Sequence, residues 1–421
     1  MPYFISGVTA DHTNLIARTP DEFKSMNDID VLPRHRVTSI DPDEHTVTVR
    51  DLTFGRDRVE PYTRLLLSTG AEAFVPPVEG TGLEGVFTLR RLGDSLRIKR
   101  YLADARPRRV VIVGAGPIGM EMCESFSTLG LEVTVIDMAG QVVPYMSPEM
   151  AARVQARIEE EGVNCILEQS ISSIQGKSDG TVGGVVTGSG EIKADLVLLA
   201  IGVRPVSKIA SDAGIELGAK GAIKVDAHMR TNRQDIYSAG DCATTSHIIT
   251  GRQVWLPLGS TSRKQGRAAA DNMFGGDAEF GGVQGTGILK CFDLTVGRTG
   301  LDEAQAIEAG FSPVAISMEA ESLHEYYPEG GIILLKLLAD GRSGRLLGAE
   351  LVGQMRSVAE KRLDILSVAI TAGMTADDLQ YLDLAYAPPY STAIDIPVIA
   401  GNIMSGKIRG GECGCGPQGL D

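Results

Sequence analysis

The stretch from Arg109 to Asp137 constrains the fold of this chain more than any other. A β-branched run, Arg109 to Val113, enters a turn with glycines at 114, 116 and 119. An apolar helix follows, and a second β-branched run, Glu132 to Ile136, ends on an acid, Asp137. This order makes a complete dinucleotide-binding βαβ unit. Gly114 permits the tight turn, Gly116 lets a diphosphate approach the backbone, and Gly119 lets the helix pack on the strand. The diphosphate then lies over the free amides that open the helix. Ile118, Met122 and Phe126 fall four apart, which predicts one buried helix face. Asp137 follows Gly114 by 23 residues, close to the roughly 20 expected of the acid that accepts from an adenosine ribose. Met138, Ala139, Gly140 and Gln141 offer no cation to a 2′-phosphate, so the pattern favours NADH over NADPH.

At 421 residues the chain is long enough for two or three domains with full cores. A formal net charge of −14 argues against a nucleic-acid or anionic-membrane partner, since neither gains electrostatically from an acidic protein. No apolar run approaches the roughly 18 residues of a membrane-spanning helix, and the N-terminus lacks a signal peptide's basic segment and apolar core. Six cysteines without regular spacing suit a reducing, cytoplasmic setting rather than a disulfide framework. The six histidines, at 12, 35, 45, 228, 247 and 324, show no metal spacing and read as non-catalytic; His324, beside Tyr326 and Tyr327, is the one mild exception. No metal site is expected.

Along the chain, Thr19-Pro20 marks a helix start. Strands Arg36 to Ile40 and His45 to Arg50, joined by the Asp41-Pro42-Asp43-Glu44 turn, form a hairpin. A buried strand from Tyr62 ends in the Thr69-Gly70 turn. After Asp137 come a helix from Pro148 to Gly162, a strand from Val163 to Leu167, a meander over 182–193 and a strand from Asp195 that turns at Gly202 and Arg204. This last strand and turn echo the one ending at Thr69-Gly70, which suggests two related nucleotide domains. A third strand ends at Gly240-Asp241, where an acid can accept from a sugar or ribityl hydroxyl, and a helix opens after Leu258. From about Gly285 the pattern is α+β, with strands 287–292, 313–318 and 331–338 and helices 302–308 and 357–372. The end of the chain is Gly-rich and reads as mobile.

Together these segments resemble the two-dinucleotide flavoprotein disulfide reductases, FAD-dependent pyridine nucleotide-disulfide oxidoreductases. Within them the chain is most similar to the branch of CoA-disulfide reductases, persulfide reductases and NADH oxidases or peroxidases. The match rests on Met1 to Gly7, Leu67 to Ala71, the unit at 114–137, Ala239 to Cys242, Cys291 to Leu301 and Asp383 to Ser391. The resemblance implies an α/β fold with two Rossmann-like nucleotide-binding domains and a C-terminal α+β dimerisation domain. FAD would bind a domain made of 1–105 and 229–283, NADH the inserted domain 106–228, and 284–405 would form the homodimer, leaving a Gly/Cys-rich tail at 406–421. By position, Asp241, with Gly240, would hold the FAD ribityl chain, and Thr69 and Gly70 would lie against FAD. Gly202 and Arg204 would border the NADH cleft, and Glu121 would sit near the nicotinamide. In the CoA-disulfide branch two tyrosines of the partner subunit approach the substrate thiol; Tyr327 and Tyr386 are the nearest candidates here, with ordinary interface packing as the alternative.

One departure from this family stands out. Its first Gly-rich βαβ unit and its catalytic cysteine lie upstream of the Pro-Tyr that here follows Met1, so the first domain is expected to be N-terminally truncated by roughly 30 residues or more. Met1 then reads as an internal methionine of a fragment, and a strand such as Tyr62 to Ser68 would lack a neighbour. Cys123, Cys165 and Cys291 are expected to pack as small apolar residues, and Cys242 to be structural. Cys413 and Cys415 form a pair that is either a tail dithiol or a remnant linker, and two cysteines fall short of a structural zinc site. The expected function is NADH-dependent reduction of a small disulfide or persulfide, such as CoA disulfide. The alternatives are O₂ or peroxide as acceptor, and a catalytically silent NADH-binding dimer.

Overall fold

The computed structural model describes residues 1–410. The chain forms two compact units, each drawn from separated segments. The first holds Met1–Val75, Thr88–Ala103 and Ile201–Val283; the second holds Pro76–Phe87, Asp104–Ala200 and the chain from Gln284 onward.

In the first unit, the helix Pro20–Asn27 starts where its cap predicts. Thr19 accepts from the Glu22 amide, the Glu22 carboxylate accepts from the Thr19 amide, and Pro20 fills the first turn. The predicted hairpin is present as His35–Asp41 and Thr46–Asp51. It is extended by a third antiparallel strand, Arg56–Pro61, that the sequence reading missed. That strand reads Arg-Asp-Arg-Val-Glu-Pro and is largely exposed, so it carries no apolar alternation to announce it. Leu65–Leu67 pairs in parallel with Ile236–Ser238, Leu67 standing opposite Ser238. Ile40, Leu67, Ile215, Ile223, Ile236 and Cys242 build the core beneath this pair.

The second unit contains a sheet in which Arg109–Val113 lies between Leu196–Leu199 and Glu132–Ile136, with Asn164–Ile166 outside the latter, all parallel. The first strand of the glycine-rich unit is therefore central, as in doubly wound sheets, and Val110 to Val113 are buried. A five-stranded antiparallel sheet follows, in the spatial order Gly287–Cys291, Leu294–Gly300, Leu346–Gln354, Ile332–Asp340, Pro313–Glu321. Helices Ala359–Thr371 and Ile396–Ile408 pack on it. The central strand Leu346–Gln354 was missed because residues 346–353 are all buried, which removes the period-two pattern.

The contact boundaries differ from the expected domains at two places. Residues 201–228, expected with the NADH domain, belong to the first unit because Val203–Pro205 pairs with Ala71–Ala73 and Ile223 bridges to Ala243. Residues 76–87, expected in the first domain, belong to the second because Glu79 and Glu84 bridge to Ser173 and Thr181. The second unit also takes in the C-terminal sheet. There Glu124 accepts from the Phe292 amide at 3.0 Å, and Glu350 accepts from the Ser147 amide at 2.7 Å.

Candidate nucleotide and substrate sites

The glycine-rich loop has the geometry its sequence predicts. Gly114 adopts φ +108°, a conformation that a side chain resists, and its amide donates to the Ile136 carbonyl at 2.7 Å. Gly116 caps the helix Pro117–Thr128 with no side chain, and Pro117 occupies the first turn. The amides of Ile118 and Gly119 therefore open the helix without an intrahelical acceptor. A Cβ on Gly119 would stand 2.0 Å from the Gly114 carbonyl oxygen, so only glycine lets helix and loop approach this closely. Met122 and Phe126 are buried as expected, but Ile118 is 36% exposed. Ile118 lies in the helix's first turn, at the open mouth of the loop. The buried face instead runs through Gly119, Met122, Cys123 and Phe126.

Asp137 ends the second strand and is fixed by two amides: Ala115 donates to one oxygen at 2.6 Å and Ala139 to the other at 2.8 Å. A carboxylate has about four acceptor positions, so the acid is oriented and still able to accept from a ribose. The Glu168 carboxylate packs against Gly140, adding a second negative group where a 2′-phosphate would need a cation. Sequence reasoning missed Glu168, which lies on a different strand–loop segment. Burial pushes the Glu121 carboxyl above the ordinary glutamate range. The residues present fit an NADH diphosphate and ribose.

In the first unit, Thr69-Gly70 and Gly240-Asp241 leave the carboxyl edge of the same parallel strand pair, the position at which α/β sheets bind nucleotides. Gly70 and Gly240 have φ of +72° and +90°. Thr69 donates to the Val206 carbonyl. The Gly240 amide donates to the Gln265 side chain at 2.9 Å. Asp241 accepts from the Ser262 hydroxyl at 2.6 Å and from the Arg90 guanidinium, and its carbonyl accepts from the Trp255 indole at 2.8 Å. Arg90 also donates to the Ala71 carbonyl at 3.1 Å, so one guanidinium braces both turns. Arg90 was not foreseen because its partner lies 151 residues away in sequence. These residues fit the ribityl end of a flavin dinucleotide. Gly202, at φ +105°, and Arg204 also stand in this unit, the Arg204 guanidinium 3.9 Å from the Phe74 ring centroid.

The structure brings Tyr386 to Tyr326, the neighbour of the predicted Tyr327. Their rings flank the same His324 imidazole, and Tyr326 and Tyr386 are 70% and 50% exposed. Tyr327 is half-buried, and its amide donates to the His324 carbonyl at 2.8 Å. Beneath them the buried Arg362 binds the carbonyls of Ser322 and Tyr390 and the carboxylate of Asp395, tying together the two segments that carry the tyrosines.

The four described cysteines are unsuited to nucleophilic work. Cys123, Cys242 and Cys291 are buried. Burial pushes the thiol of Cys291 up to about 12, that of Cys165 up to about 11 and that of Cys123 further still. Cys242 donates to the Leu67 carbonyl at 3.4 Å, a structural contact. Cys413 and Cys415 lie outside the described residues. A cavity of about 250 Å³ in the second unit, lined by Tyr145, Ser147, Lys336 and Glu350 among others, includes none of the predicted residues.

A parallel sheet with a diphosphate loop and ribose acid, together with a second nucleotide edge, defines a dinucleotide-dependent oxidoreductase. Residues 5–266 match the family described as pyridine nucleotide-disulphide oxidoreductase, and residues 288–396 match its dimerisation domain. The chain belongs to this family. It is 34% identical over 405 residues to an NAD(P)H sulfur oxidoreductase (CoA-dependent) of Pyrococcus furiosus, covering 96% of this chain and 89% of the relative. It is 35% identical over 392 residues to an NADH oxidase of Methanocaldococcus jannaschii, covering 93% and 86%. Among solved structures, an NAD-dependent persulfide reductase from A. fulgidus superposes with a TM-score of 0.93 at 38% identity, covering 97% of this chain and 76% of that one. Among the described residues, no helix is long and apolar enough to cross a membrane.

Proposed function

We propose that the chain is an NADH-dependent flavoprotein oxidoreductase that reduces a small disulfide or persulfide, with CoA disulfide as the model substrate, and that it works as a homodimer in the reducing cytoplasm. The observation that carries this reading is the Gly114–Gly119 turn faced by an amide-anchored Asp137. Similarity to relatives named for sulfur, persulfide and CoA chemistry supports the choice of substrate.

In this reading the amides of Ile118 and Gly119 hold the NADH diphosphate, Asp137 accepts from the adenosine ribose, and Glu121 lies by the nicotinamide. Thr69, Gly70, Gly240 and Asp241 hold FAD, with Arg90 balancing the charge of Asp241. Gly202 and Arg204 border the NADH cleft. When bound, the two cofactors supply hydride transfer from nicotinamide to flavin and the electrons that reach sulfur. Tyr386 and its neighbours contact the sulfur of the substrate. A second reading, O₂ or peroxide as acceptor, is favoured by the likeness to an NADH oxidase.

The visible spectrum of the purified protein tests both. A flavin band bleached by anaerobic NADH is expected, and NADH consumption should rise when CoA disulfide is added without O₂. Consumption with O₂ alone selects the oxidase reading. A colourless protein that still takes up NADH defeats both readings and leaves a silent NADH-binding dimer.

A further inference from the structure

His324 stands between the two segments that carry the exposed tyrosines. Its ring lies parallel to that of Tyr326, with centroids 5.4 Å apart and planes 9° apart. Tyr386 meets the same imidazole edge-on, at 6.2 Å and 82°. Stacking of this kind and edge contact are the arrangements that aromatic quadrupoles favour. The Ala393 amide donates to His324 Nε2 at 3.3 Å, so in the neutral ring the proton sits on Nδ1. One imidazole is thus fixed by the 386–393 segment and in turn sets the direction of both tyrosine rings.

The consequence lies in the hydroxyls. Tyr326 and Tyr386 flank this one imidazole and are 70% and 50% exposed. Each phenol carries one O–H that can donate to an outside acceptor. A preorganised neutral O–H suits the anionic sulfur of a thiolate, because it stabilises charge without having to reorganise. We propose that His324 is a positioning residue that aims the Tyr326–Tyr386 hydroxyl pair at the sulfur of a thiol-bearing substrate. This rests on the sulfur-substrate reading above.

Calorimetric titration of the flavin-loaded protein with coenzyme A and with desulfo-coenzyme A separates the two ideas. The wild-type chain is expected to prefer the thiol, and His324→Ala to reduce that preference by about tenfold, leaving desulfo-coenzyme A affinity and NADH reduction of the flavin unchanged. His324→Phe can stack but cannot accept from Ala393, so it should fall between them and guards against a misfolded alanine variant. Intact thiol preference in His324→Ala overturns the proposal, as does equal loss of affinity for both ligands, the mark of a general packing defect. No thiol preference in the wild type overturns the sulfur-substrate reading itself, and the proposal with it.

Discussion

The Arg362 guanidinium lies 3.0 Å from the Asp395 carboxylate, with the two side chains 1% and 3% exposed. Arg362 also binds the carbonyls of Ser357, Val358, Ser322 and Tyr390, and Lys361 stands 3.6 Å from the other Asp395 oxygen. Removing one partner of a buried pair strands the other charge, at a cost of about 3–5 kcal/mol. Arg362→Met should therefore lower the urea midpoint by that equivalent. Arg362→Lys should recover little, since an ammonium cannot span the same set of acceptors.

Asp137 sets the nucleotide preference. Asp137→Ala removes the ribose acceptor and leaves the Ala115 and Ala139 amides without their partner. The ratio of kcat/KM for NADH over NADPH should fall about tenfold or more, equivalent to roughly 1.4 kcal/mol. An unchanged ratio in steady-state assays would show that the acid does not contact the cofactor.

Gly119→Ala tests the close approach of helix and loop. Its Cβ would fall 2.0 Å from backbone, which cannot rotate away. Overpacking of this kind costs about 1–3 kcal/mol. Calorimetry should show a weaker NADH complex along with a lower Tm, whereas FAD content stays as in the wild type.

The acid limb of stability should depend on Asp195. The Arg109 guanidinium beside it, helped by the backbone amides of Arg109 and Arg108, holds its carboxyl down to about 2 from an ordinary 3.8. The folded value is depressed, so its contribution is complete above about pH 4. It is lost as the pH falls through about 2. Arg109 is 38% exposed, so solvent screening leaves about 1 kcal/mol. Asp195→Asn should lower the urea midpoint at pH 7, with the difference from wild type closing towards pH 2.

Much of this was legible in the sequence where the signal is local. Thr19 and Pro20 announced a helix, and the glycines at 114, 116 and 119 announced both a fold and a ligand class. What escaped depends on distance or on context. Arg90 meets Asp241 across 151 residues. Periodicity placed Ile118 on a helix face but could not show that the first turn stands open. Strand Leu346–Gln354, buried on both sides, has no alternation to read. Tyr386 was found by motif, yet its partnership with Tyr326 and His324 depends on how two loops meet over Arg362.

The four described cysteines give a chemical prediction. In a Cys413→Ser/Cys415→Ser chain, Ellman's reagent should titrate fewer than about one thiol in the native state, because burial shields Cys242 and holds Cys123, Cys165 and Cys291 protonated. All the remaining thiols should react in denaturant. Rapid native labelling of Cys291 or Cys123, read by mass spectrometry, would contradict the burial described here.

The interleaving of the two units also bears on synthesis. The first unit needs both Met1–Val75 and Ile201–Val283, so its early part leaves the ribosome and waits roughly 6–25 s, at 5–20 residues per second, before the matching strands emerge. Leu65–Leu67 spends that interval, and the further time needed to reach Ile236, without Ile236–Ser238. During it, a chaperone that covers the early strands should raise the yield of folded protein.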